Sequence, residues 1–183
     1  MQIPIQATFI NPLLECSTKE VHFQIDKTPN KELETTEKIV KLNNTSSLPL
    51  RMEVRARYPF SIGTEDQNSM KLTLKEKEKY DLKIFFNPNY RKEYLSRQLS
   101  DKLYIDYLDH PSCDVIELSS VIHFPNLEFS QSEINFGSIL NHTECAIDIE
   151  IRNRGPLPVN YRWWFEVKGS SFFISPQLAF YII

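Results

Sequence analysis

Glycine is scarce in this 183-residue chain, with four in all: Gly63, Gly137, Gly155 and Gly169. Phosphate-cradling loops need closely spaced glycines so that the backbone can approach the anion, and no such cluster exists here. No run comes near the roughly 20 apolar residues that a membrane-spanning helix requires. The opening MQIPIQATFINP has neither a basic segment nor a small-residue cleavage pattern, so no secretory signal is visible. The three cysteines, Cys16, Cys113 and Cys145, are odd in number and far apart. That argues against a disulfide framework and predicts reduced, buried thiols. Asn43, Asn44 and Asn141 each begin an Asn-x-Ser/Thr pattern, and without an export signal they are read as turn asparagines. Neither sign of charge dominates: 24 acidic against 21 basic residues give a net charge of -3. A general binder of nucleic-acid backbones carries a basic excess, which is missing.

What the chain does have is proline, 11 of them, with 12 Phe and 8 Tyr. Proline between apolar runs limits helix length and marks strand starts, edges and turns. The runs themselves alternate with period two. Met52, Val54 and Ala56 alternate with Arg51, Glu53, Arg55 and Arg57, and Met70, Leu72 and Leu74 with Lys71, Thr73 and Lys75. Ile147, Ile149 and Ile151 alternate with Asp148, Glu150 and Arg152, and the same pattern recurs at Leu82, Ile84, Phe86 and at Leu103, Ile105, Tyr107. Each run puts one apolar face on a core and one polar face in water. Many short strands with turn signals between them predict an all-β sandwich. Only two stretches offer helix, residues 30–38 and 89–102, and both read as loop insertions.

The chain also repeats itself. LECSTKEVHF, from Leu14, lines up with LEFSQSEINF, from Leu127, at an offset of 113. KIVKLNNTSSLPLRM, from Lys38, lines up with IDIEIRNRGPLPVNY, from Ile147, at an offset of 109. The four-residue difference falls in a loop, where length changes cost little. A period near 110 residues is a domain length, so the expectation is tandem sandwiches: residues 9–122 as a first unit and 123–183 as the first half of a second. The chain is then expected to be a fragment or short form of something longer, with almost no linker at VIHFPNLEF.

The second copy carries family motifs. FPNLEFSQSEINFGSILNHTECAIDIEIRNRGPLPVNYRW resembles the start of an ASH (ASPM, SPD-2, Hydin) domain, a relative of the immunoglobulin-like sandwiches of the PapD and major sperm protein type. The matching elements are Leu127-x-Phe129, Ile134-x-Phe136-Gly137, and a charged-apolar strand ending in Asn153-Arg154-Gly155, then Leu157-Pro158-Val159. The first copy departs from it, with Gln24 after its VHF and Asn43-Asn44-Thr45-Ser46 in place of Asn-x-Gly. Leu48-Pro49-Leu50 and the closing YLDHPSCDVIELSSVIHFPNLEF look like the Hydin-type members of the family in particular.

The resemblance implies a non-enzymatic scaffold of the motile cilium, in the central pair apparatus of the axoneme, that supports ciliary beating. It implies axonemal and microtubule-associated proteins as partners, along with neighbouring ASH domains of the same long chain. It implies a cytoplasmic, cytoskeletal location, no cofactor, no metal, no nucleic acid and no membrane. The alternative is an adaptor resembling major sperm protein domains, which capture short acidic peptide motifs.

Individual residues bear on that choice. His110 and Cys113 form the one short metal-type spacing, too few ligands for a structural zinc site, and Pro111 makes the stretch a turn. Carboxylates such as Asp148 and Glu150 occupy the outward strand phase, which a solvated sheet face explains without catalysis, and no cysteine sits in a glycine elbow. Arg51, Arg55 and Arg57 make a basic stripe along one strand, a candidate interaction surface, and Arg91, Lys92, Arg97 and Lys102 cluster in a loop. Trp163 and Phe165 share the apolar phase of Val159 and Tyr161. Trp164 stands in the opposite phase beside Arg162 and Glu166, as an exposed aromatic anchor would.

Overall fold

The computed structural model describes residues 3–8, 10–28 and 31–162. Among them are eleven strands: β1 (Leu14–Cys16), β2 (Glu20–Asp26), β3 (Thr36–Asn44), β4 (Leu50–Arg55), β5 (Phe60–Ile62), β6 (Ser69–Leu74), β7 (Lys79–Phe86), β8 (Arg97–Tyr107), β9 (Cys113–His123), β10 (Leu127–Phe129) and β11 (Ile151–Asn153). The first nine form two sheets, β1-β3-β7-β5 and β2-β9-β8-β4-β6. All neighbours are antiparallel except β2 and β9, which run parallel from Glu20↔Glu117 to Asp26↔His123. The chain changes sheets between β1 and β2, where the Thr18 hydroxyl accepts from the Glu20 amide at 3.1 Å and turns the backbone.

The alternation read from the sequence is what closes this sandwich. Val40 and Leu42 on β3, Leu82, Ile84 and Phe86 on β7, Met52 and Val54 on β4, and Leu103 and Ile105 on β8 all face inward and are buried. At one end Phe23, Phe60 and Phe86 meet with ring centroids 5.1–6.0 Å apart. Their tilted packing adds to the roughly 1.5–3 kcal/mol that burying each such side chain contributes.

Three local expectations change. Residues 89–102 are not one loop insertion: a 3-10 turn at Pro88–Tyr90, capped by the Asn87 carboxamide, gives way to β8 at Arg97. The strand extends that far because β9 offers an eleven-residue partner, with Arg97 opposite Ile122. The cysteines are unbridged, but Cys16 is half-buried and Cys113 and Cys145 are exposed. Cys113 shares the outward phase of β9 with Val115 and Glu117, which is why that thiol is not covered. The apolar run Ile147–Ile151 is strand only from Ile151, and Ile147 is 36% exposed. Its partner β10 is three residues long and offers nothing for Ile147 to pair with.

Phe86→Ala removes one corner of the aromatic triangle and is expected to cost about 3–5 kcal/mol of unfolding free energy. Lys83→Ala, on the outward face of the same strand, is expected to stay within about 0.5 kcal/mol. Urea titration of both variants against the parent checks the pair.

Candidate functional site: two asparagine turns, a charged sheet face and a locked joint

β3 ends on Asn44, whose side chain is 0% exposed. A buried carboxamide is tolerated only if its donors and acceptor are satisfied. Asn44 Nδ2 lies 2.9 Å from the Leu48 carbonyl, 3.1 Å from that of Leu74 and 3.0 Å from that of Lys75. Its Oδ1 accepts from the Ser46 amide at 2.9 Å and faces the Ser46 hydroxyl at 2.5 Å. One side chain therefore ties the end of β3 to the entry of β4 and the end of β6. Asn44 carries this role unrecognised in the sequence reading, which took it as a plain turn asparagine and a departure from the Asn-x-Gly motif. The signal was its alignment with Asn153.

The second copy builds the same turn. Asn153 Nδ2 donates to the Leu157 carbonyl at 2.7 Å, and its Oδ1 accepts from the Gly155 amide at 3.1 Å. The hairpin registers match residue for residue: Leu14↔Asn44, Glu15↔Asn43 and Cys16↔Leu42 in one, Leu127↔Asn153, Glu128↔Arg152 and Phe129↔Ile151 in the other. The serine after each first strand repeats too. Ser17 Oγ accepts from the Lys41 amide and Ser130 Oγ from the Glu150 amide, both at 3.0 Å.

The arginine stripe lies on the outward face of β4 and just beyond it. Arg51 makes a two-point pair with Asp109, its Nε donating at 2.7 Å, and Arg55 a two-point pair with Asp106 at 2.9 and 2.5 Å. The hydrogen bond from Arg51 holds the Asp109 carboxyl below the usual carboxylate range, and the carboxylate in turn raises Arg51. Arg57 is exposed and has no ion-pair partner among the described residues. Trp164, with Trp163 and Phe165, lies outside the described residues.

The loop cluster of basic residues disperses. Lys102 pairs with Glu117 at 3.2 Å, while Arg97 turns inward. The Arg97 guanidinium stacks 4.6 Å from the Tyr90 ring centre and 5.7 Å from that of Phe124, and donates to the Pro88 and Glu93 carbonyls at 2.9 and 2.7 Å. Around it the joint between β9 and β10 is pinned. The Phe124 amide donates to Ser96 Oγ at 2.9 Å, the Ser96 amide to Asn126 Oδ1 at 3.0 Å, and Asn126 Nδ2 to the Tyr94 carbonyl at 2.8 Å. Phe124 itself is 2% exposed.

His110 sits in the β8–β9 turn and its Nδ1 faces the Ser112 amide at 3.2 Å. Among the described residues no three His, Cys, Asp or Glu side chains gather as a metal would need. Beside this turn the Tyr107 phenol donates to the Asp114 carboxylate. Burial, followed by that hydrogen bond, pushes the ionisation of Tyr107 far up.

These sheets define an immunoglobulin-like β-sandwich of the kind the motifs implied. In sequence the chain is 34% identical over 172 residues to the human hydrocephalus-inducing protein homolog. It is 35% identical over 172 residues to the mouse hydrocephalus-inducing protein. Each match takes in 91% of this chain and 3% of the relative, so the chain spans a small part of the length of these proteins. The Hydin-type resemblance of the motifs therefore holds across nearly the whole chain. Similar solved structures include an ASH/PapD-like domain of human CEP192, at 13% identity over 67% of this chain and 94% of that one, with a TM-score of 0.39. Another is the CupB2 chaperone of Pseudomonas aeruginosa, at 14% identity over 58% of this chain and 54% of that one, also with a TM-score of 0.39. No protein-family model matches the chain.

Asn44→Ala strands three carbonyls and the Ser46 amide, and is expected to cost about 2–3 kcal/mol in denaturant unfolding. Asn153→Ala, in an exposed turn, is expected to cost under about 1 kcal/mol by the same measurement.

A second outcome concerns alkaline pH. Tyr107 ionises higher in the fold than its ordinary value of about 10, so the fold favours the protonated phenol. Its contribution is complete below about pH 10 and is lost as pH rises from there through the folded value. Tyr107→Phe is expected to flatten the fall in thermal midpoint above about pH 10 relative to the parent, read by melting across that range.

Proposed function

We propose that this chain is a length of non-enzymatic scaffold in the axoneme of motile cilia, within the central pair apparatus, built of ASH-type sandwiches in tandem. The observation that carries the reading is 34% identity to the human hydrocephalus-inducing protein homolog along 91% of the chain. The repeated asparagine turn and the repeated hairpin register support the tandem part: residues 9–122 make the first unit and 123–183 begin a second. The first unit keeps the pinned joint as its far end, since Phe124 and Asn126 bond back to Ser96 and Tyr94. A joint tied back to the first unit, with no glycine between His123 and Phe129, suits a stiff spacer better than a flexible linker.

Partners in this reading are other axonemal and microtubule-associated proteins, together with neighbouring sandwiches. The outward face of β4 is the proposed contact surface. Arg51 and Arg55 there are already matched by Asp109 and Asp106, which leaves Arg57 as the cation a partner carboxylate would meet. Trp164 is proposed as a second contact. That arrangement favours a scaffold over an acidic-peptide adaptor, which would need several uncommitted cations converging on one groove.

Fluorescent tagging of the natural protein that carries this stretch, in multiciliated cells, tests the reading. The expected outcome is signal along the axoneme that survives detergent extraction, and slowed or stiffened beating when the stretch is deleted. Diffuse cytoplasmic signal with normal beating would overturn it.

A further inference from the structure

The two large sheets end in four edges, and three of these offer little to pair with. β1 and β5 are three residues long. β5 is also wrapped by the turn after it, where the Ile62 amide donates to the Gln67 carbonyl at 2.7 Å and the Ser61 hydroxyl to the Glu65 carbonyl at 2.6 Å. Along β2, the Thr18 hydroxyl bonds both the amide and the carbonyl of Glu20, and the Lys38 amine donates to the His22 carbonyl. β6 is the fourth edge, and its register with β4 shows which of its groups are free. The Arg51 carbonyl accepts from the Leu108 amide on the β8 side, and the Ala56 amide donates to the Asn68 carbonyl on the β6 side, both at 2.9 Å. Arg51 stands opposite Thr73 and Glu53 opposite Lys71. The amides and carbonyls of Lys71 and Thr73 therefore point away from the sheet, with no partner among the described residues. This window is bounded on both sides: Gln67 Nε2 donates to the Ser69 carbonyl at 2.9 Å, and the Lys75 amide to Glu78 Oε2 at 2.6 Å.

We propose that β6 is a docking edge for an extended segment of another protein, one that alternates acidic and apolar residues and adds an antiparallel strand to the five-stranded sheet. Antiparallel pairing suits a window of this size, because Lys71 and Thr73 each exchange both of their bonds with a single residue opposite. The side chains define the rest of the partner. Lys71, Thr73 and Lys75 are exposed on the outer face, and neither lysine has an ion-pair partner among the described residues. Met70 and Leu72 face the other way, half-buried at the rim of the core, with Met70 Sδ 3.4 Å from where a side chain on Gly63 would begin. Four main-chain groups give the affinity, apolar side chains opposite Met70 and Leu72 cover the rim, and carboxylates opposite Lys71 and Lys75 set the register. A second copy of this chain does not fit, since β6 paired with itself brings Lys71 and Lys75 of both copies onto one face. Lysine on an edge guards it against its own kind and leaves it open to a strand of opposite charge. Binding of this sort rests on main-chain bonds and apolar seats, not on cations converging in a groove. The edge is distinct from the outward face of β4, and its chemistry is independent of the chain's place in a cilium.

The probe is a capped peptide, DVTVDVT, whose first aspartate falls opposite Lys75 and whose second falls opposite Lys71 in the antiparallel register. Titrated into the isotope-labelled chain, it is expected to shift the Lys71 and Thr73 amides, slow their exchange and give cross-strand Overhauser contacts to both residues. Methylating the two peptide nitrogens opposite Lys71 and Thr73 is expected to abolish the effect. Lys71→Glu is expected to weaken binding about fivefold and to turn the preference towards a peptide with lysine in place of each aspartate. Thr73→Pro removes an outward amide without breaking a bond to β4, and is expected to abolish binding in a chain that still melts cooperatively. The proposal is overturned if millimolar peptide leaves Lys71 and Thr73 unmoved, if the N-methylated peptide binds equally well, or if the unaltered chain pairs with itself through β6.

Discussion

The structure depends most on one buried carboxamide. A two-sheet sandwich is held by apolar side chains that are interchangeable within limits, and many packings of the same strands are close in energy. Asn44 removes that freedom at one end. Its amide and carbonyl must find partners once water is excluded, and the geometry that supplies them fixes the turn from β3 to β4 and the end of β6 together. A polar group in this position specifies more than it stabilises, because any strand slip that leaves the core greasy still strands the amide. The same turn recurs at Asn153 in an exposed setting, where water can also satisfy the carboxamide.

From that constraint the rest follows in sequence. Fixed β3 and β4 set the two sheets, and the sheets carry β8 and β9 as the long hairpin whose end is the joint. The loop that departs from the sandwich frame, between the 3-10 turn and β8, wraps that joint: Tyr94, Ser96 and Arg97 hold Phe124 and Asn126. A joint tied back to the sandwich in this way, with no glycine between His123 and Phe129, is stiffer than a glycine-rich linker of equal length. The charged face of β4 is a different sort of surface. Its pairs with Asp106 and Asp109 cross from one strand to the neighbouring strand and turn, which makes them part of the sheet's exterior before they are part of any interface.

Much of this was legible in the sequence because period two is a strong signal in an antiparallel sheet. Met52 and Val54, Leu82 to Phe86, and Leu103 to Tyr107 face where alternation put them. What escaped depends on partners distant in sequence. Residues 97–102 become strand only because β9 is there to pair with them. Arg97 reads as one more loop cation until Tyr90 and Phe124 are brought beneath it. Cys113 was expected inside because thiols usually are, but the turn at His110 sets the phase of β9 and puts it outside. Asn44 escaped because polar residues before Thr and Ser look like solvent-facing turns, and only the fold of β6 over it reveals its burial.

The claim on which the account rests is that the second copy repeats the architecture of the first. Nuclear Overhauser contacts in the labelled chain measure this most directly, read across the two hairpins. The account predicts cross-strand contacts for Leu127 with Asn153 and Phe129 with Ile151, in the register of Leu14 with Asn44 and Cys16 with Leu42. It also predicts a slowly exchanging Gly155 amide beside Asn153, as for Ser46 beside Asn44. A different register in the second hairpin, or no cross-strand contacts there at all, would contradict it.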